Sequence, residues 1–304
     1  MPTNSDYPTA IGIDIGGTHI KACLLNRGGR ILLSETNDTD PDLQGVQLLD
    51  VIAGIHDRFS CKHTVCGVGL GLPAAVQQPS GTVLGKANLR CLDDYPLGEQ
   101  VRKRLAIACR SDNDANQALR AEAHFGVAQR VSNVLGLTLG TAVGGGLILG
   151  GRLWQGARGV AGELGMTYLF LPEGRGGSNS WLPTPLESIA SAVAIERRSQ
   201  KSCAQLFQAG AAGDRQANQV LHEAFQVLAL AITNVHLLLD IELVVLGGGM
   251  ARAGNALRDG VATAFRSVCP PEHSSALRFE LSSLGSFAGA VGSACMILEA
   301  EGYL

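Results

Sequence analysis

Short apolar runs alternate along this chain with longer stretches in which apolar residues recur every three or four positions. The short runs predict buried strands, and the longer stretches predict helices with one buried face. The predicted strands are residues 11–15, 20–25, 31–34, 65–70, 107–109, 134–139, 143–149, 243–246 and 277–281. The predicted helices are residues 43–59, 97–106, 114–125, 188–198, 204–211, 215–239, 254–265 and 288–300. This mixture predicts an α/β fold.

The order of elements occurs twice along the chain. In each half an apolar strand ends in a turn of glycine and threonine, and a second strand follows at once. The first turn is Gly16-Gly17-Thr18 and the second is Gly140-Thr141. Such a repeat predicts two α/β domains of like topology that face a cleft.

The repeat also predicts where the domains divide. We expect a first domain over residues 1–112 and a second domain over residues 113–287. The C-terminal helix, within residues 288–304, is expected to pack back on the first domain. A loop rich in glycine, serine and proline is predicted over residues 162–187.

The composition adds a hint about the ligand. Of the 304 residues, 46% are hydrophobic and 17% are charged, which is enough apolar material for a large core. Glycine is used 39 times, roughly twice the usual ~7% share. The glycines cluster at the ends of apolar runs, where a backbone turns sharply or approaches a ligand closely. This pattern favours a nucleotide or phosphate site.

Charge and cysteine usage exclude several classes of protein. The net charge is −3 and no basic stripe is present, so we expect no nucleic-acid partner. We find no signal peptide and no apolar run near the ~20 residues that span a membrane, which predicts a cytoplasmic protein without a membrane partner. The 8 cysteines contain no C-x-x-C pair and are expected to be reduced core residues.

The two glycine–threonine turns are candidate phosphate sites. Glycine lets backbone N–H groups approach phosphate oxygens, and the hydroxyls of Thr18 and Thr141 add donors. Lys21, three residues after the first threonine, supplies positive charge. Each turn alone is also typical of an ordinary hairpin, but two at matching positions favour nucleotide phosphate.

Other nucleotide motifs are absent from the sequence. It contains no G-x-x-x-x-G-K-[ST] segment. The strand that ends in Gly247-Gly248-Gly249 does not complete a dinucleotide fingerprint, because position 252 is Arg. These glycines are instead predicted to form a flat shelf for an adenine or a ribose.

Five motifs together resemble the ROK family of bacterial sugar kinases and related repressors, over roughly residues 11–300. They are Asp14-x-Gly-Gly-Thr18-x-x-Lys21, Asn113-Asp114-Ala115-Asn116, Leu139-Gly-Thr-x-Val-Gly-Gly-Gly146, Gly162-Glu-x-Gly165 and Leu246-Gly-Gly-Gly249. The resemblance implies an actin/hexokinase-like (ribonuclease H-like) two-domain fold with an inter-domain cleft, in a homodimer. It also implies an ATP-dependent kinase, working with Mg²⁺, that phosphorylates a hexose or an N-acetylated amino sugar at its terminal hydroxyl.

The resemblance also assigns roles to individual residues. Asp114 corresponds to the general base that activates the sugar hydroxyl, although an aspartate before a helix is also a preferred N-cap. The sugar-binding residues would be Asn88, Asn113, Asp114, Glu163 and Glu187. The residues that bind nucleotide and phosphate would be Asp14, Gly16, Gly17, Thr18, Lys21, Gly140, Thr141, Gly247, Gly248 and Gly249.

The sequence departs from the family pattern at the zinc loop. Most ROK kinases have a histidine where this chain has Met166, and a cysteine-rich loop where residues 174–181 contain no cysteine. Methionine does not bind zinc as that histidine does, so we expect no structural zinc.

Several alternatives stay open. Met166 and Ala142, which replaces a usual glycine, are compatible with a catalytically degenerate sugar sensor. A ROK-type transcriptional regulator is disfavoured because only about ten residues precede the first strand. Some zinc-free relatives use polyphosphate in place of ATP, and the sequence does not identify the sugar.

Overall fold

The strands and helices follow from a computed structural model, which describes residues 8–78, 80–85, 89–172 and 181–304. The strands are β1 (Thr9–Ile15), β2 (His19–Asn26), β3 (Ile31–Asp38), β4 (Val65–Leu72), β5 (Val76–Gln77), β6 (Thr82–Val83), β7 (Ala108–Asn113), β8 (Val134–Leu139), β9 (Val143–Leu149), β10 (Arg152–Leu153), β11 (Tyr168–Pro172), β12 (Trp181–Pro185), β13 (Leu243–Gly247) and β14 (Arg278–Leu281). The helices are α1 (Gly45–Ser60), α2 (Leu97–Leu105), α3 (Asp114–Phe125), α4 (Glu187–Ala190), α5 (Ala192–Ser199), α6 (Cys203–Ala211), α7 (Arg215–Leu239), α8 (Asn255–Val268), α9 (Pro271–Ser274) and α10 (Ala288–Ala300).

Two five-stranded sheets with the same topology organise these elements. The first has the order β3-β2-β1-β4-β7, and the second has the order β10-β9-β8-β13-β14. In the first sheet β2 is antiparallel to both of its neighbours, β1 and β3, while β4 and β7 run parallel to β1. In the second sheet β9 is antiparallel to both of its neighbours, β8 and β10, while β13 and β14 run parallel to β8. The repeated order of strands in the sequence therefore corresponds to a repeated sheet.

The chain divides into two units at positions that differ from the expected boundary at residue 112. The first unit extends to Gln129 and also includes Gln155–Ala161 and Ser283–Leu304. The second unit comprises Arg130–Trp154 and Gly162–Ser282. Helix α3 belongs to the first unit because it packs along α10, which lies on the first sheet.

Each unit has its own hydrophobic core. In the first unit α1 and α2 cover one face of the sheet, and α3 and α10 cover the other. In the second unit α7 is the central helix, and its buried residues include Leu221, Leu228 and Ile232. Helix α7 is long and apolar enough to cross a membrane, which the sequence reading did not anticipate. More than half of its apolar window, 56%, is buried inside the protein, as in the core helix of a soluble protein.

Helix α10 packs on the first sheet backbone to backbone. A Cβ atom on Gly12 of β1 or on Gly69 of β4 would lie 1.8 Å from the carbonyl oxygen of Ala290 or Ser293, respectively. Gly12 and Gly69 are paired neighbours in the sheet. On the other side of the helix, a Cβ on Gly292 would lie 1.7 Å from a backbone oxygen of α3. Only glycine permits these distances, so the three glycines fix how closely α10 approaches the sheet and α3.

The region predicted as an irregular loop contains a β-hairpin. Strand β11 pairs antiparallel with β12, with Tyr168 opposite Pro185 and Phe170 opposite Pro183. The prolines and glycines of this stretch obscured its alternating pattern. The helix predicted over residues 188–198 is also interrupted, because extended backbone at Ser191 separates α4 from α5.

Replacing Gly12 with alanine is expected to destabilise the fold strongly. The added methyl group would overlap the backbone of α10, which must move away from the sheet, at a cost of at least ~3 kcal/mol of unfolding free energy. Urea denaturation followed by circular dichroism measures the change. Gly54→Ala in α1 is the matched control. Its new Cβ would contact only the end of the Arg58 side chain, so alanine's helix propensity should leave stability equal or raised by up to ~1 kcal/mol. Equal stabilities for the two variants would contradict the packing argument.

Candidate active site

The predicted base lies at the junction between β7 and α3. Asn113 is the N-cap of α3, since its Oδ1 accepts hydrogen bonds from the backbone N–H of Ala115 at 2.9 Å and of Asn116 at 3.2 Å. Asp114 is the first residue of the helix and is half-buried, and its Oδ1 also accepts from the N–H of Ala115 at 2.7 Å. The capping role that the sequence allowed for Asp114 therefore belongs chiefly to Asn113. We call Asn113 and Asp114 the base turn.

Asp14 lies next to the base turn, at the end of β1. A Cβ on Gly71 of β4 would lie 3.6 Å from both Asp14 Oδ1 and the Cα of Asp114. Burial raises the pKa of Asp14 to about 6, and the ammonium of Lys21, its partner on β2, opposes the rise. Gly289 at the start of α10 leaves room for this carboxyl group, because a Cβ there would lie 2.6 Å from Asp14 Oδ2.

The phosphate turn of the first unit is held by a residue that the sequence reading missed. Thr39 donates from Oγ1 to the carbonyl oxygen of Gly16 at 2.8 Å, and from its backbone N–H to that of Thr18 at 2.9 Å. Gly17 and Thr18 are exposed, with open space where a Cβ on Gly17 would stand. No motif pointed to Thr39, because it adjoins the turn only through the pairing of β2 with β3.

The glycines of the second unit divide into two roles. A Cβ on Gly248, whose φ is +81°, would lie 2.5 Å from the carbonyl oxygen of Leu139, so this glycine allows close packing against β8. Gly249, in contrast, has open space beside it, and its backbone nitrogen lies 4.0 Å from a Cβ built on Gly140. The three glycines therefore do not form a uniform shelf. Gly247 is the last residue of β13, Gly248 packs against Leu139 of β8, and Gly249 lies beside the turn at Gly140. Thr141 in that turn is exposed.

Glu163 and Glu187 lie close to each other in the second unit. The segment around Glu163 packs tightly on β9, since a Cβ on Gly165 would lie 2.1 Å from the carbonyl oxygen of Val143. The backbone N–H of Leu186 donates to the carbonyl oxygen of Thr167 at 2.9 Å, which brings the start of α4 beside this segment. Burial raises the pKa of Glu163, and the charge of Glu187 raises it further. The two carboxyl groups form a pair of acceptors.

Part of the predicted site lies outside the described residues. Asn88 is one such residue, as are residues 173–180 of the predicted zinc-free loop. Met166 is 64% exposed. Within the part of the chain that the structure describes, no group of three or more His, Cys, Asp or Glu residues is arranged to hold a metal ion. The absence of structural zinc therefore stays a prediction.

A sequence profile of the ROK family matches residues 10–300. This chain belongs to the ROK family. A glucokinase from Halalkalibacterium halodurans is 28% identical to this ROK protein, over 96% of this chain and 95% of its own length. An N-acetyl-D-glucosamine kinase from Pasteurella multocida is 31% identical, over 79% of this chain and 84% of its own length.

Solved structures confirm the actin/hexokinase-like fold of this ROK protein. The ROK hexokinase from Thermus thermophilus superposes with a TM-score of 0.83 at 29% identity, over 96% of this chain and 99% of that one. A ROK family glucokinase from Streptomyces griseus, solved in complex with glucose and AMPPNP, has a TM-score of 0.78 at 28% identity. That comparison covers 95% of this chain and 98% of the glucokinase.

The substitution Glu187→Gln is expected to lower the pKa of Glu163. It removes the like charge that contributes to the raised pKa, while burial, the larger cause, remains. The pKa should therefore fall but stay above its usual range, as measured by NMR titration of ¹³C-labelled glutamate carboxyl groups. Glu223→Gln is the control, because this exposed residue pairs with Arg198 and should leave Glu163 unchanged. An unchanged pKa in Glu187→Gln would show that the two carboxyl groups do not interact.

Proposed function

We propose that this ROK protein is an ATP-dependent sugar kinase that phosphorylates a hexose or an N-acetylated amino sugar at its terminal hydroxyl. The observation that carries the proposal is the base turn, where Asn113 caps α3 and Asp114 follows it as the first helical residue. The curated relatives support the proposal, because they are kinases of glucose and of N-acetyl-D-glucosamine by name. In this role the chain is a phosphotransferase with an alcohol as acceptor.

Asp114 would act as the general base. The sugar hydroxyl oxygen forms a bond to the γ-phosphorus of ATP, the bond from that phosphorus to the ADP oxygen breaks, and the hydroxyl proton passes to the Asp114 carboxylate. Because Asn113 provides the helix cap, Asp114 does not have to satisfy the helix end by itself. Asp14 lies beside the base turn, and burial raises its pKa to about 6, an effect that a bound cation would oppose.

In each unit an exposed turn is a candidate contact for the phosphates of ATP. In the first unit Gly17 and Thr18 are exposed, and in the second unit Thr141 is exposed and Gly249 has open space beside it. Backbone N–H groups and threonine hydroxyls are the donors that phosphate oxygens require. ATP supplies the phosphoryl group, and Mg²⁺ would be held mostly through phosphates and water, with Asp14 as the nearby carboxylate. The complex of the Streptomyces griseus glucokinase with AMPPNP supports ATP as the donor.

Glu163 and Glu187 would accept hydrogen bonds from sugar hydroxyls. Ionised carboxylates only accept hydrogen bonds, and sugar hydroxyl groups can donate them to this half-buried pair. Asn113 would contribute its Nδ2 group, since its Oδ1 is used in capping α3. Asn88 is retained in this set by the family resemblance alone. Met166 offers no donor to the sugar, so this chain recognises its substrate without the hydrogen bond that a histidine there would make.

We also propose that the protein acts in the cytoplasm as a homodimer. The eight cysteines are all unpaired thiols, which suits a reducing compartment. Burial raises the pKa of Cys23 and of Cys109 to about 12, so these thiols behave as inert core residues. The homodimer is proposed from the family resemblance.

Asp114→Asn is expected to reduce kcat by at least ~10²-fold while leaving sugar affinity within a few fold. The amide preserves the shape and the hydrogen bond to the helix N-terminus, but it does not accept the hydroxyl proton. A coupled assay of ADP release across hexoses and N-acetylhexosamines measures turnover and also identifies the sugar. Asp259→Asn on the surface of α8 is the control and should retain full activity. Substantial kcat in Asp114→Asn would mean that this residue is not the base.

Zinc analysis tests the departure from the family pattern. Protein purified without added metal should contain well under one equivalent of zinc by mass spectrometry. Treatment with EDTA should leave the thermal unfolding temperature unchanged, because metal that holds a fold contributes directly to folding free energy. One tightly bound zinc per chain would refute the expectation and point to ligands outside the described residues.

A further inference from the structure

Asp112 is a buried carboxylate that directly precedes the base turn and has no part in the chemistry above. It is 2% exposed, at the end of β7. Its Oδ1 accepts hydrogen bonds from the backbone N–H of Asn113 at 2.8 Å and from Asn116 Nδ2 at 3.2 Å. Its Oδ2 accepts one from Gln155 Nε2 at 2.7 Å, and Nη2 of Arg120 lies 3.8 Å from the same oxygen. Donors therefore surround both oxygens.

The bond to Gln155 comes from an unusual part of the chain. The segment Gln155–Ala161 belongs to the first unit, whereas the residues on both sides of it belong to the second. Close packing also holds its far end to the first unit, since a Cβ on Gly159 would lie 3.0 Å from the carbonyl oxygen of Val76. Two residues after the segment comes Glu163, a proposed sugar ligand. Asp112 thus binds both the base turn and the segment that leads to Glu163.

A chain of charged groups supports Asp112 from the opposite side. Arg120, on the first turns of α3, also donates from Nη1 to Glu299 of α10, and His124 contacts the other oxygen of that glutamate. Burial raises the pKa of Asp112, and the three hydrogen-bond donors around it together with the charge of Arg120 oppose the rise. A buried carboxylate whose donors are all supplied costs far less than an unpaired one, and losing a single donor is expensive. Such a group is well suited to fixing the positions of its neighbours.

We propose that the Asp112–Gln155 pair is a positioning device for the phosphoryl transfer, one that sets the orientation of Asn113 and Asp114 through the carboxylate of Asp112. The inference rests on the proposed function, because it assumes that Asp114 is the base. Asp112 itself is a positioning residue, because it contacts the backbone of the base turn and acts through Asp114. Errors of ~1 Å in the placement of a reacting group cost up to ~10²-fold in rate, so this bond affects kcat.

A swap of the two side-chain types tests the pair. In Asp112→Asn one oxygen still accepts from Asn113 and Asn116, and the Gln155 amide turns so that its Oε1 accepts from the new NH₂ group, which keeps a bond between the two side chains. In Gln155→Glu two carboxylates face each other. In the double variant Asp112→Asn/Gln155→Glu the amide at position 112 donates to the carboxylate at position 155, so the bond returns with its polarity reversed.

The expected result is a loss of at least ~10-fold in kcat for Gln155→Glu, recovery of most of that loss in the double variant, and a smaller loss for Asp112→Asn. Sugar KM should change less than kcat, because the groups that bind the sugar remain. A purely structural role would move the thermal unfolding temperature and leave kcat per folded molecule unchanged, so both quantities are measured for all three variants.

Glu122→Gln is the matched control. Glu122, on α3, is a second buried carboxylate, 1% exposed, and it accepts from the backbone N–H groups of Val127, Ser283 and Leu284. Its replacement should lower the unfolding temperature while leaving kcat within about twofold. A kcat loss in Gln155→Glu that merely matches that of Glu122→Gln, or a double variant no faster than Gln155→Glu, would overturn the inference. Absence of sugar phosphorylation by the wild-type protein would overturn the proposed function itself, and this inference with it.

Discussion

Strands β1 and β4 each have a glycine where α10 packs on them. The backbone of the helix occupies the space that a Cβ atom at those positions would need. The carbonyl oxygens of Ala290 and Ser293 come within 1.8 Å of the positions that a Cβ on Gly12 and on Gly69 would occupy. This backbone-to-backbone contact sets the height of α10 above the sheet. Because the helix is rigid, the contact also sets where its two ends lie: one end packs beside Asp14 and the other brings Glu299 to Arg120.

Three carboxylates within the stretch from β7 to the end of α3 have three different environments. Asp112 is surrounded by side-chain and backbone donors, and Asp114 stands at the first turn of the helix. Glu122 accepts backbone N–H groups just before the chain leaves the first unit at Gln129, and just after it returns at Ser283. The two fully buried carboxylates are stabilised by donors that lie within their own unit. Asp114, which is proposed to accept a proton, is the more accessible of the three.

The second unit has its own sheet of the same topology, and strand β9 of that sheet supports the segment that carries Glu163. Close packing of residues 162–165 on β9 depends on glycine, since a Cβ on Gly145 would lie 2.3 Å from the carbonyl oxygen of Gly162. The result is a partly buried Glu163 next to Glu187, a pair of like charges. Such a pair raises the pKa of Glu163 and costs free energy in the absence of donors. Sugar hydroxyls would supply them, which is the physical reason to consider this pair a binding feature.

The sequence alone determined the α/β class, the repeat of the strand order and the motifs around Asp14, Asp114 and Gly140, because these depend on periodicity and on residue types that are adjacent in the chain. It did not determine that Asn113 rather than Asp114 is the principal cap of α3, that Thr39 clamps the first phosphate turn, or that Gln155 reaches Asp112. Those contacts join residues that are far apart in sequence or offer several equivalent hydrogen-bonding choices. The hairpin β11–β12 was hidden by its prolines and glycines. The first unit extends past residue 112 because α3 is held by α10, more than 160 residues further along the chain. The conformational preferences of neighbouring residues determine the strands and helices. Tertiary packing then determines which hydrogen-bond donors and acceptors from distant parts of the chain meet.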